Sequence, residues 1–143
     1  MRDVEKISVL YVKPGEYSQM IEIEDSLEEM QKLVGGYIEK VSPFDDDAVA
    51  LIVNEEGKFN GMKPNRAIFS EDKEDIVDII FGPFFVCYAP YDCENFMSLP
   101  PEVADKYMKE FKYPEKFYRD FDGKIQVFPY EPKEQGMDVE VER

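Results

Sequence analysis

The run from Ile76 to Ala89 constrains this chain more than any other segment. At its centre Ile79-Ile80-Phe81-Gly82-Pro83-Phe84-Phe85-Val86 is the most hydrophobic stretch of the sequence. Asp78, Gly82 and Pro83 interrupt it, so it falls short of the ~20 apolar residues that a membrane-spanning helix needs. A short apolar run rich in β-branched and aromatic residues reads as a buried strand, here bent at Gly82-Pro83 and lying inside a sheet.

Around that strand the pattern predicts an α+β arrangement. Lys6 to Val12 and Tyr17 to Ile23 carry strand patterns on either side of the turn residues Lys13-Pro14-Gly15-Glu16, which predicts a hairpin. Ser26-Leu27-Glu28-Glu29 has the form of a capping box and opens a helix to about Leu33, with Leu27, Met30, Leu33 and Val34 on one stripe. Gly35-Gly36 stops it. Tyr37 to Val41 and Ala48 to Asn54 read as two more strands, giving a β-β-α-β-β start. Lys58 to Ser70 is mixed, and helix or surface loop both stay open there.

Ser98 with Pro100-Pro101-Glu102 marks a second helix start, and Pro114 its end. One last strand candidate lies around Lys124-Ile125-Gln126-Val127-Phe128. The expectation is one α+β domain over residues 1–132, with two principal helices on a mixed, mostly antiparallel sheet. An acidic, mobile tail over 133–143 follows. Without repeats or heptads, solenoids and coiled coils drop out.

Charge narrows the function classes. The 32 Asp and Glu against 17 Lys and Arg leave a formal charge of -15, which repels a phosphate backbone and draws basic partners. Direct nucleic-acid binding is therefore disfavoured, and a protein partner with a basic surface is expected; self-association is open. There is no histidine. Triads and imidazole acid–base chemistry are thereby removed, so no catalytic residue and no enzyme activity are expected. Cys87 and Cys93 match neither a redox pair nor half of a zinc site, and no cofactor or metal is expected. No charged-then-apolar leader stands at the N-terminus, so a cytoplasmic location with free thiols is expected.

Two groups of residues could carry binding. In Lys63-Pro64-Asn65-Arg66-Ala67, a cation and an amide on a Pro-held loop could contact an anion or nucleotide, with Tyr37 completing a pocket between helix and sheet. The structural reading comes first: Arg66 pairs with a carboxylate and Asn65 caps the turn. The second group is acidic: Asp45, Asp46 and Asp47, then Glu71, Asp72, Glu74 and Asp75, with Asp78 close behind. Spaced carboxylates on a stiff sheet could imitate phosphates to a DNA-binding enzyme, although solvation is the commoner cause of such runs.

The order of Leu33-Val34-Gly35-Gly36-Tyr37-Ile38-Glu39, Asn54-Glu55-Glu56-Gly57-Lys58, Pro64-Asn65-Arg66-Ala67 and Ile80-Phe81-Gly82-Pro83-Phe84-Phe85 resembles a family of short uncharacterised proteins of phages, plasmids and other mobile elements of bacteria. The likeness spans roughly residues 6–112. It implies a mobile-element accessory protein and carries no activity or site residues with it. The leading expectation is a non-enzymatic acidic binding protein that inhibits a host defence or nucleic-acid-binding protein. The alternative is a protein that binds or sequesters a small molecule or nucleotide through Tyr37, Asn65 and Arg66.

Overall fold

The computed structural model describes residues 5–44, 48–90 and 96–132. Nine strands and two helices follow one another among these: β1 (Lys6–Val12), β2 (Gln19–Glu24), α1 (Leu27–Val34), β3 (Ile38–Val41), β4 (Val49–Asn54), β5 (Pro64–Phe69), β6 (Ile76–Phe81), β7 (Phe84–Tyr88), α2 (Pro101–Glu110), β8 (Glu115–Arg119) and β9 (Ile125–Pro129). A central sheet has the order β2-β1-β7-β4-β3, and two further sheets are the hairpins β5-β6 and β8-β9. Every strand pairing among the described residues is antiparallel.

The apolar run is divided between two of these sheets. Expected as one bent strand, it forms β6 in one hairpin and β7 in the middle of the central sheet, with Gly82 at φ 84° turning the chain between them. That left-handed angle is open to glycine and strained for other residues. A Cβ here would also collide with the sulfur of Met62.

Strand alternation then sorts side chains onto two faces. Val49, Leu51, Val53, Phe84 and Val86 meet Ile68, Ile80 and the α2 residues Ala104 and Tyr107 on one side. Ala50, Ile52, Phe85 and Cys87 meet Met30 and Val34 of α1 on the other. Both faces are covered, so β4 is buried at all six positions, and Val49 to Val53 read as a continuous apolar run before Asn54.

The helix ends follow local chemistry. Ser26 Oγ accepts the Glu29 N–H at 3.1 Å, as a cap should, while the Ser26 N–H goes to Glu24 O at 2.8 Å. Gly35 closes α1 at φ 80°. Leu27, placed on the apolar stripe by its spacing, is 58% exposed because it opens the first turn. At α2 the cap position is Pro100, and no side chain caps it. Ser98 Oγ instead accepts the Ser8 N–H at 2.8 Å, which ties the approach to α2 onto β1. The helix ends at Glu110, before Pro114 is reached.

Two further strands differ from expectation. Lys58–Ser70 is neither helix nor surface loop but a turn followed by β5, and the C-terminal segment forms a hairpin, β8 with β9. Asp45–Asp47, Cys93 and the tail over 133–143 lie outside the described residues.

Candidate functional site

Asn65 and Arg66 are buried, at 1% and 0% exposure. Arg66 spends all five N–H groups internally. Its Nε and Nη2 donate to Phe111 O at 3.2 and 3.0 Å, Nη2 also to Glu16 O at 2.7 Å, and Nη1 to Asn65 O and Oδ1 at 3.3 and 2.9 Å. Asn65 Nδ2 donates to Val12 O at 3.0 Å and Gly82 O at 2.9 Å.

The pair therefore works as a joint. It satisfies carbonyls at the end of α2, in the β1–β2 turn, at the end of β1 and at the β6–β7 turn, where burial without partners would be costly. Burial pulls the Arg66 guanidinium down to about 10, with Glu115 and the Tyr130 hydroxyl acting the other way. The expected Arg66–carboxylate pair gives way to carbonyl partners: the ion pairs among the described residues are Lys13–Glu16, Lys58–Asp78 and Lys73–Glu110.

Tyr37, the third member of the expected ligand pocket, is 73% exposed in the link between α1 and β3. The two β5 residues lie across the central sheet from α1. The fold does not gather the three, and Asn65 and Arg66 have no polar hydrogen left for a ligand.

The acidic run behaves differently. It forms the β5–β6 turn, where Asp72 accepts from Ser70 Oγ at 2.6 Å and from the Glu74 N–H at 3.0 Å. Those bonds hold its carboxyl below the usual range. Lys73, at φ 64°, reaches Glu110 of α2 at 3.0 Å. Glu74 and Asp75 then line a groove of about 820 Å³ that runs between β6 and β9.

Half-buried Phe69, Ile79, Phe81, Ile125 and Val127 form the apolar floor of this groove, and Glu74, Asp75 and Asp78 its acidic rim. Lys58, which pairs with Asp78 at 2.8 Å, and Lys124 also line it. The run of acidic charge was legible in the sequence, but not that it forms a turn. The floor was not, because its two halves lie about fifty positions apart and only β8–β9 folding back brings them together.

Cys87 is fully buried, and burial pushes its thiol up to about 12, which keeps it protonated. No group of three or more Cys, Asp or Glu side chains among the described residues is placed to hold a metal ion. Among the described residues, no helix is long and apolar enough to cross a membrane.

Layers of antiparallel sheet and helix, with an apolar groove rimmed by acids, define an α+β protein. The chain belongs to the family described as a domain of unknown function, DUF3846, whose family model matches residues 7–112. No curated protein and no solved structure matches it. The family match ends before β8, so one wall of the groove comes from a hairpin outside the matched region.

Proposed function

We propose that the chain is a non-enzymatic acidic binding protein of phage or mobile-element origin that inhibits a host defence or nucleic-acid-binding protein in the host cytoplasm. The observation that carries this is the coincidence of the acidic turn with the groove. Glu74, Asp75 and Asp78 surround half-buried apolar side chains, and the whole chain bears a charge of -15. A partner with a basic, partly apolar surface is steered by the charge and held by the apolar floor. The origin and the host setting rest on the resemblance to mobile-element proteins.

The test is association with a panel of host nucleases and other nucleic-acid-binding enzymes, measured as salt rises. Binding should weaken steeply with salt, and the double variant Glu74→Lys, Asp75→Lys should lower the association rate at least about tenfold in low salt. Binding that ignores both salt and charge reversal overturns the proposal.

A further inference from the structure

At one rung of the β5–β6 ladder, each strand has an outward amide already closed by a carboxylate. Ala67 and Ile79 face each other in the register. The Ala67 N–H donates to Glu115 Oε1 at 2.8 Å and the Ile79 N–H to Asp78 Oδ1 at 2.8 Å. Both amides thus point away from the partner strand, as they do in the non-hydrogen-bonded pairs of an antiparallel ladder.

The two caps differ in origin. Glu115 is the first residue of β8, a strand that packs against β5 from outside the matched region. Asp78 is the residue next to the amide that it caps, and Lys58 holds the same oxygen at 2.8 Å. The β5 edge therefore has a neighbouring strand, whereas on the β6 edge a side chain stands where a neighbour's carbonyl would be.

That edge borders the groove, and Val77 beside it is 57% exposed. An open edge next to apolar side chains is a template for strand pairing, and a charged side chain on it is the usual guard against indiscriminate pairing. The guard also selects. A neutral strand meets the carboxylates of Glu74, Asp75 and Asp78 at a loss, while a cationic one meets them at a gain.

We infer that the outer edge of β6 at Val77–Ile79 receives an extended segment of the partner protein in which basic and apolar residues alternate, adding it as a third strand to β5–β6. The inference rests on the proposed function for the presence of a basic partner. Main-chain bonds supply affinity, and the alternation sends apolar side chains to the groove and basic ones to the rim. The incoming carbonyl replaces Asp78 on the Ile79 amide, and an incoming cation takes up the released carboxylate.

The probe is a short, end-capped peptide of alternating lysine and valine. Its control is the same peptide N-methylated along its centre, which keeps the charge and removes the main-chain donors. Against the full chain, the unmodified peptide should bind at least about tenfold more tightly, since several net hydrogen bonds are at stake. The Ile79 amide should exchange its hydrogen more slowly when the peptide is bound.

Val77→Pro, with its fold checked by circular dichroism, should bring the unmodified peptide down to the level of the control. Should that variant not fold, Asp78→Ala serves: both peptides lose the attraction of that carboxylate, but strand addition predicts that the unmodified peptide keeps its advantage over the N-methylated control, and loss of that advantage overturns it. Equal affinity of the two peptides overturns strand addition and leaves the acidic-rim reading standing. If neither peptide binds in low salt, both fail.

Discussion

The central sheet and the outer pair of hairpins are built from the same antiparallel ladders, yet they are held by different forces. In β1, β4 and β7 nearly every side chain is buried against α1 on one face or against β5–β6 and α2 on the other. In β8 and β9 no residue is buried, and a hydrogen bond from the Ala67 amide to Glu115 anchors the start of that hairpin. Dispersion and apolar burial are lost only by opening the whole core, whereas a single polar bond can be exchanged for an equivalent one. The difference shows why the middle of this protein is expected to be its rigid part and why the proposed partner is assigned to its margin.

The largest test of the comparison lies in the middle strand. Phe85 is fully buried among Ala50, Ile52, Met30 and Val34. Phe85→Ala should cost about 3–5 kcal/mol in urea unfolding, the usual loss for a large cavity in a packed core. A loss below about 1 kcal/mol would mean that the site collapses freely and that the sheet is not the stiff element claimed.

A somewhat smaller loss is expected at the joint between the two regions. Arg66→Met strips buried Phe111 O of both its Arg66 donors, and part-buried Glu16 O of one, while keeping much of the side-chain volume, and a buried acceptor left bare costs about 1–3 kcal/mol. Arg66→Lys should recover little of this, because one ammonium cannot span carbonyls that the planar fork reaches together. Full recovery by lysine, in the same unfolding measurement, would reduce the joint to a simple charge.

The same division decided what the sequence could say. The first hairpin, the Ser26 cap and the Gly35 stop were readable because their causes lie within a few residues of one another. The run Ile76–Tyr88 was readable as buried but not as two strands in two sheets, since apolarity reports burial and is silent on which neighbour supplies it. β5 was missed because Pro64, Asn65 and Arg66 look like loop chemistry. Their burial is tolerable only through carbonyls of Val12, Glu16, Gly82 and Phe111, all far away in the chain. β8 was missed for a related reason: Glu115-Lys116-Phe117-Tyr118-Arg119 alternates, but with charges on the face that alternation turns inward. Of the candidate site, the acidic run was legible as charge but not as a turn, and where a carboxylate for Arg66 and a turn cap by Asn65 were expected, both side chains donate to main-chain carbonyls.

The smallest effect, and the sharpest on the margin, concerns Glu115. Burial raises its carboxyl above the ordinary value, while the Ala67 amide and Arg66 oppose that rise. A carboxyl whose folded value lies above its unfolded one contributes stability that is present at acid pH and lost as pH climbs through the folded value. The ionised group is thus a net burden at neutral pH, even while its oxygen caps β5. Glu115→Gln keeps an acceptor for Ala67 and removes the charge. The difference in unfolding free energy between variant and wild type should be near zero in acid and should grow in favour of the variant as pH rises to neutrality. A difference of the opposite sign would mean that attraction to Arg66 outweighs burial, and the outer hairpin would then be held by charge as firmly as the middle sheet is held by packing.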